Sequence, residues 1–236
     1  MIKKVLFDGK VEVGISETSD GNMRFFGEGD EGEIIENQRR LGSSFTGSES
    51  RLARVRTIYG ERKDFTDYRE ITEENLASYS IENPEEKILV SDGLATRDLK
   101  IGLLLPLADC LGVIVFDEKR GIFGLLHAGR HNIEQEGAKK FIEYFKEKFG
   151  SEARDLALYF SPHAVNYPIF KFGGRGLSEV ATEQFLDSGV LGENIFNPKI
   201  DTVKSANFPS YSSGDKFKRF AIAAKNKARK RLKSRF

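Results

Sequence analysis

The single cysteine of the chain and one of its three histidines stand at the outer ends of two neighbouring apolar runs. Cys110 precedes the run LGVIVF, and His127 lies near the end of IFGLLHA, with the polar segment DEKRG between the runs. This pattern predicts a β-hairpin. A turn at residues 119–120 would pair Gly112 with His127, and Cys110, two residues earlier, would project from the same face of the sheet.

A thiol and an imidazole at these diagonal positions are near enough to share a zinc ion or to form a thiolate–imidazole pair. Asp109 adjoins the cysteine, so an acid, a thiol and an imidazole would meet in one polar pocket. His131 and His163 are candidates for a further metal ligand. A structural role competes with each of these assignments, because a lone cysteine in an apolar run is commonly an inert core residue.

The chain has 236 residues, of which 39% are hydrophobic and 31% are charged, and these values favour one globular domain. No run of about 18 apolar residues occurs, so we expect no membrane contact. The N-terminal segment MIKKVLFDGKVEVG lacks the apolar core of a signal peptide. One cysteine excludes an internal disulfide, and a cytoplasmic location is the simplest expectation.

Charge is unevenly distributed along the chain. Residues 216–236 contain ten of the 37 Lys and Arg residues and no acidic residue, although the net charge of the whole chain is only +1. We expect residues 1–215 to form the domain and residues 216–236 to form a basic C-terminal helix or tail packed on it. The tail is a candidate for binding nucleic acid, and a solvated basic helix face is the alternative.

Strand and helix patterns mix without a regular βαβ rhythm, which favours an α+β fold with a large mixed sheet flanked by helices. Asp8 and Gly9 predict a hairpin near the N-terminus. Helices are predicted over residues 30–45, 132–150 and 178–190. Asn132 and Gln135 fit a capping box at the start of the second helix.

Five segments, taken in order, resemble the laccase-domain or polyphenol-oxidase-like family. They are VGISE, IIENQRRL, VSDGLAT, the ADC and HAG pair with its cysteine and histidine 17 residues apart, and SANFPSYSSGDKFKRFAIAA. Members of this family are described as zinc-dependent purine nucleoside phosphorylases. The chain looks like a divergent member, and the resemblance implies an α+β fold with a large mixed sheet.

The resemblance also implies a site chemistry. In the family a metal, taken as zinc, is held by two histidines and a cysteine, and the site cleaves purine nucleosides such as adenosine with phosphate or deaminates adenosine. On this sequence we assign catalytic roles to Asp92, Asp109, Cys110 and His127, metal ligation to Cys110, His127 and His163, and substrate contacts to Tyr59, Arg130 and Tyr211. Copper is not expected, because one cysteine and three histidines cannot build the usual copper centres of a multicopper laccase.

Three departures from the family pattern bear on this assignment. VRTIYGE places Tyr59 where the family has a histidine ligand, HAGRHN places Arg130 and His131 where it has tryptophan and arginine, and SYSS lacks an arginine pair. A phenol is a poor zinc ligand beside imidazole, because its pKa lies near 10. The third metal bond is therefore left to His163, His131 or water, or else the metal is lost.

Three functions follow from these observations. The first is a metal-dependent phosphorylase or deaminase. The second is a degenerate family member that binds a nucleoside or nucleic acid without catalysis, which the changes at Tyr59, Arg130 and Ser212 favour. The third is a thiol hydrolase with Cys110 as nucleophile and His127 as base.

Overall fold

A computed structural model of the protein describes residues 1–24, 30–45 and 51–227. The strands in this part of the chain are β1 (Ile2–Leu6), β2 (Val11–Ile15), β3 (Arg51–Arg54), β4 (Tyr68–Glu70), β5 (Gly93–Thr96), β6 (Ile101–Leu107), β7 (Leu111–Asp117), β8 (Ile122–Ala128), β9 (Leu156–Phe160), β10 (Pro168–Ile169), β11 (Arg175–Gly176), β12 (Ile195–Phe196) and β13 (Phe220–Asn226). The helices are α1 (Glu31–Gly42), α2 (Arg130–Glu134), α3 (Gly137–Phe149) and α4 (Leu177–Asp187).

Two mixed sheets form the centre of the molecule. Sheet A has the strand order β1-β2-β13-β6-β3, and sheet B has the order β12-β9-β7-β8-β5-β4. Neighbouring strands are antiparallel except for the pairs β3–β6, β4–β5 and β9–β12, which are parallel. The predicted α+β class and single domain are confirmed, with two large sheets in place of one.

The sheets pack face to face, and helices cover their outer faces. Ile222 of sheet A and Leu125 of sheet B belong to the core between the sheets. Phe145 of α3 and Phe185 of α4 pack on the outer face of sheet B, while Leu41 of α1 packs on the outer face of sheet A. Burial of apolar surface in these three layers is the main force that holds the fold together. None of the helices in the described ranges has the length and apolar character needed to cross a bilayer.

The hairpin of β7 and β8 has the predicted register. Gly112 lies opposite His127, and Leu111 lies opposite Ala128. Every residue of both strands is buried, because helices cover one face and sheet A covers the other. Strands covered on both faces read as continuous apolar runs without alternation, as these two do. His127 projects toward sheet A, on the same face of β8 as Leu125.

The predicted basic C-terminal helix or tail is wrong for residues 220–226. They form β13, a fully buried strand that pairs with β2 on one side and β6 on the other. Since β13 lies in the middle of sheet A, a boundary at residue 216 does not separate a domain from a tail. Residues 228–236, which hold much of the predicted basic tail, lie outside the described residues, and nucleic-acid binding stays a prediction.

A chain that ends at Asp215 should fail to fold. It would lack the strand that joins β2 to β6, and sheet A would be split. We expect urea titration, followed by circular dichroism, to show no cooperative transition for this truncated chain. A chain that ends at Lys227 keeps β13 and should unfold cooperatively. Cooperative unfolding of the shorter chain would contradict the central role of β13.

Candidate functional site

A cavity of about 430 Å³ opens where the chain passes from sheet A to sheet B. β6 of sheet A ends at Leu107, and residues 108–110 lead directly into β7 of sheet B. Six of the eight predicted site residues line this cavity: Tyr59, Asp109, Cys110, His127, Arg130 and Tyr211. A larger and more open groove of about 640 Å³ runs along α4 and contains none of the predicted site residues.

The thiol of Cys110 and the imidazole of His127 border the same point beside Gly129. A Cβ atom placed on Gly129 would lie 3.3 Å from Cys110 Sγ, 3.3 Å from His127 Nε2 and 2.8 Å from His127 Cε1. The missing side chain therefore leaves a gap between sulfur and imidazole. The hairpin register brings these two groups together, although Cys110 itself precedes the first residue of β7.

Replacing Gly129 with alanine should close this gap. The backbone there has φ −87° and ψ 174°, which any residue adopts, so the effect arises only from contact with His127 and Cys110. We expect the free energy of unfolding, measured in urea, to fall by about 1–3 kcal/mol. Gly192→Ala is the matched control, because its new Cβ would meet nothing closer than 3.8 Å. Equal stability of the two variants would contradict the crowding at Gly129.

Tyr59 enters the cavity from the irregular segment that follows β3. Its side chain is 51% exposed, and it lines the cavity together with Cys110 and His127. Burial of the hydroxyl, together with the neighbouring sulfur, raises the pKa of Tyr59 above its ordinary value. The phenol is therefore neutral at neutral pH and can donate a hydrogen bond.

Burial also keeps the thiol and the imidazole uncharged. Desolvation, followed by the neighbouring Asp109 carboxylate, raises the pKa of Cys110 to about 11. Desolvation, followed by repulsion from Arg24 and Arg62, lowers the pKa of His127 to about 3. A thiolate–imidazolium pair is disfavoured in this environment, which argues against a thiol hydrolase that uses Cys110 as its nucleophile.

Asp109 connects two loops to the cavity. Its Oδ1 accepts a 2.8 Å hydrogen bond from the Thr202 hydroxyl, and its Oδ2 accepts a 2.6 Å bond from the Ser212 N–H. The residue has a left-handed φ of 77°, a conformation that aspartate tolerates better than most residues. With both oxygens engaged, the carboxylate positions the loop that carries Tyr211.

Asp92 is fully buried and lies outside the cavity lining. Its Oδ1 accepts a 3.0 Å bond from Arg62 Nη1, and its Oδ2 accepts bonds from Arg62 Nη2 and, at 3.0 Å, from the Asp67 N–H. Burial is the largest influence on the pKa of Asp92 and raises it, although Arg62 opposes the shift. The Asp92 backbone oxygen accepts a 2.8 Å bond from the His127 N–H. Asp92 thus holds segment 62–67 beside β8.

Three rings, Tyr59, Phe65 and His131, form an aromatic wall at the cavity. The Phe65 and His131 rings stack with centroids 4.7 Å apart, and the Tyr59 centroid lies 5.8 Å from that of His131. The Arg62 guanidinium lies 5.0 Å from the Phe65 centroid, which places a cation over the ring. Sequence reasoning missed Phe65, because no periodicity marks one phenylalanine in a polar segment.

Side chains of α2 and of Gln135, which directly follows it, hold this wall in place. Asn132 Nδ2 donates a 2.7 Å bond to the Phe65 carbonyl, and Gln135 Oε1 accepts a 3.1 Å bond from the Phe65 N–H. The predicted capping box at Asn132 and Gln135 is therefore wrong. The predicted helix 132–150 is two helices, because Glu136 adopts a left-handed φ of 59° between them.

His163 does not line the cavity. It is fully buried, its Nδ1 lies 2.8 Å from the Ser161 carbonyl, and its Nε2 has no hydrogen-bond partner. Desolvation lowers the pKa of His163. The structure does not bring this ring to the gap between Cys110 and His127.

Arginine side chains make the cavity lining cationic. Arg24, Arg130 and Arg219 line it, and Asp109 is the one carboxylate among the described lining residues. Arg24 also pairs with Glu85, at 3.0 Å from Nε to Oε1. Tyr211 stands at the same cavity with Lys216 Nζ 3.6 Å from its ring centroid. Arg24 was not predicted from the sequence, because it belongs to none of the segments that carry the family resemblance.

The donor set does not fit the predicted zinc ion. Cys110 and His127 supply sulfur and nitrogen on either side of a gap, but catalytic zinc sites use three protein ligands. Within residues 1–24, 30–45 and 51–227, no three His, Cys, Asp or Glu side chains are placed to share a metal ion. Tyr59 lines the same cavity, but its phenol is a poor zinc ligand beside imidazole.

Residues 10–175 match the family model of the multi-copper polyphenol oxidoreductase laccases. A purine nucleoside phosphorylase of Clostridium acetobutylicum is 28% identical over 122 residues, which are 51% of this chain and 49% of that protein. A purine nucleoside phosphorylase of Borreliella burgdorferi is 32% identical over 85 residues, 36% of this chain and 37% of that protein. The chain thus matches half or less of the length of these relatives.

Two solved structures share the fold. The hypothetical protein YfiH of Bacillus licheniformis has a TM-score of 0.78 at 17% identity, over 92% of this chain and 93% of that chain. YlmD of Geobacillus stearothermophilus has a TM-score of 0.77 at 16% identity, over 92% of both chains. Because the family model covers most of the sequence and the fold agrees along nearly all of it, this chain belongs to the multi-copper polyphenol oxidoreductase laccase family.

Proposed function

We propose that the cavity binds a purine nucleoside together with phosphate and catalyses phosphorolysis of the nucleoside. The observation that carries this proposal is the lining itself, in which arginine side chains face the same space as the hydrogen-bond donors Tyr59 and Cys110. A volume of about 430 Å³ is within the usual range of small-molecule sites. The relatives named purine nucleoside phosphorylase support the same assignment.

The arginine side chains suit the phosphate. Guanidinium groups bind phosphate oxygens through charge-assisted, often bidentate hydrogen bonds. Arg130 is exposed at the first position of α2, with its Nη2 3.3 Å from His131 Nε2, so it can reach an anion in the cavity. The cationic lining would also concentrate an anionic substrate near the site.

The other side of the cavity suits the purine. Phosphorolysis breaks the bond between ribose C1′ and purine N9 and forms a bond between a phosphate oxygen and C1′. The purine leaves with the electron pair of the broken bond, so a hydrogen-bond donor at its ring stabilises it. The neutral Tyr59 hydroxyl and Cys110 thiol are such donors, and the Tyr59 ring can stack on the base.

Arg130→Ala should weaken phosphate use. We expect the purified protein to release purine base and ribose 1-phosphate from adenosine, inosine or guanosine only when phosphate is present, as measured by chromatography. The variant should raise KM for phosphate about 10-fold or more, because it loses a charged hydrogen bond. Arg97→Ala is the matched control, since Arg97 follows the end of β5 that is remote from His127.

Base release that does not depend on phosphate, or turnover that persists in Cys110→Ala, would contradict the proposal. The same incubations, analysed for inosine and ammonia, test the finer prediction of adenosine deamination. Parallel samples with added zinc test whether either reaction depends on a metal.

A further inference from the structure

We propose that the protein in its present sequence holds no stoichiometric zinc at Cys110 and His127, because the phenol of Tyr59, which lines the same cavity, is a poor third ligand, and that the single change Tyr59→His completes a zinc site. The inference concerns the same cavity as the proposed phosphorolysis. It does not depend on that activity, since zinc content is measured without substrate.

The pair Cys110 and His127 is half of a metal site. Sulfur and Nε2 each lie 3.3 Å from the position of a Cβ on Gly129, and that position is empty. Zinc bonds to nitrogen and sulfur are about 2.0–2.3 Å long, so both side chains would move closer to a shared ion than they stand around this point. The surroundings thus offer room and two suitable donors, and what they lack is a third.

Every other nearby candidate for the third donor is engaged elsewhere. The Asp109 carboxylate accepts bonds from Thr202 and Ser212, and the Asp92 carboxylate accepts bonds from Arg62. The His131 ring stacks on Phe65, and its Nε2 contacts Arg130.

His163 is excluded by its position. Its ring lies outside the cavity lining, with Nδ1 turned to the Ser161 carbonyl. Tyr59 lines the cavity with Cys110 and His127, and no His, Cys, Asp or Glu among the described residues completes a three-ligand set with that pair.

A histidine at position 59 would supply that donor. An imidazole is shorter than a phenol, so the exchange adds space to the cavity that Tyr59 lines with Cys110 and His127. Half of the Tyr59 side chain is exposed, so the exchange removes little packing. The new site would have two imidazoles and one thiolate, leaving the fourth zinc position open to water, as in catalytic zinc sites.

Zinc content distinguishes a metal-free site in wild type from a metal-bound site in Tyr59→His. Four proteins are incubated with equimolar zinc and freed of unbound metal: wild type, Tyr59→His, Tyr59→Phe and the double variant Tyr59→His/Cys110→Ser. Their zinc content is then measured by elemental mass spectrometry. We expect about one zinc per chain for Tyr59→His alone, with affinity at least about 100-fold above wild type in a chelator competition. Tyr59→Phe removes the hydroxyl without adding a donor and should stay as metal-poor as wild type.

Cobalt titration gives a second readout. A thiolate–cobalt charge-transfer band should appear in Tyr59→His and disappear in the double variant. About one zinc per chain in wild type, or no metal uptake by a folded Tyr59→His, would overturn the proposal. Should Tyr59→His not fold, the wild-type titration decides: a Cys110-dependent cobalt band overturns the proposal, and its absence supports it.

Discussion

Replacing Asp92 with asparagine should lower the free energy of unfolding by about 3 kcal/mol, at the lower end of the range for breaking a buried ion pair. Asp92 is fully buried, and the Arg62 side chain is only 15% exposed. The substitution leaves the Arg62 guanidinium without its carboxylate in a poorly solvated place. Urea unfolding at neutral pH measures the effect.

Two further variants identify the cause. Asp67→Asn removes an acid from the same segment, but Asp67 pairs with Arg69 at the surface, so we expect a change below about 1 kcal/mol. The double variant Arg62→Met/Asp92→Leu replaces both charges by apolar groups and should recover part of the lost stability. An Asp92→Asn protein that keeps its stability but loses turnover would instead favour the catalytic role first assigned to Asp92.

Lowering the pH from 6.5 to 5 should remove about 1.6 kcal/mol of stability through His127 alone. The folded state holds this imidazole neutral, with a pKa of about 3, because it is buried near Arg24 and Arg62. The unfolded chain takes up a proton near pH 6.5. The contribution is therefore complete above pH 6.5 and is lost as the pH falls toward 3.

His127→Gln tests this pH dependence. The difference in unfolding free energy between pH 6.5 and pH 5 should be about 1.6 kcal/mol smaller in the variant than in wild type. The comparison cancels contributions from groups that both proteins share, including His163, whose pKa is also lowered by burial. Identical pH dependence in the two proteins would show that His127 is not held neutral.

Sequence reasoning succeeded where local patterns decide the structure. The polar turn DEKRG between two apolar runs predicts the hairpin, and the register that pairs Gly112 with His127 follows from the position of the turn. Helix α1 carries an apolar stripe on one face, and α4 is followed by a glycine, Gly189, with positive φ. These signals depend on neighbours in sequence, and tertiary contacts do not override them.

Sequence reasoning failed where the structure depends on contacts between segments that are distant in sequence. The run FAIAAKN is covered on both faces, so it shows no alternation that would distinguish a strand from a buried helix, and the basic residues around it favour a solvated end. Asn132 and Gln135 have the spacing of a capping box, but their amides bind the Phe65 backbone, a partner far away in sequence. Tertiary hydrogen bonds of this kind leave no local pattern.

The site residues that are close in sequence were predicted, and those that only tertiary contacts bring together were missed. Cys110 and His127 belong to one hairpin, and their proximity follows from its register. Asp92 was assigned to catalysis because it lies in a turn of the family pattern, whereas its carboxylate is engaged by Arg62. The arginines of the cavity come from three remote parts of the chain, and only the folded structure brings them together.

The position of β13 has a consequence for biosynthesis. The Ala221 N–H binds the Ser16 hydroxyl oxygen across 205 residues of sequence. β13 is therefore synthesised after β2 and β6, the two strands that it joins in sheet A. Until it emerges from the ribosome, the edges of β2 and β6 are unpaired on that side and can pair with other chains. Arg219 reaches the cavity equally late. Folding should be slow, as contacts of such high sequence separation require, and chaperones that shield the waiting edges should raise the yield of native protein.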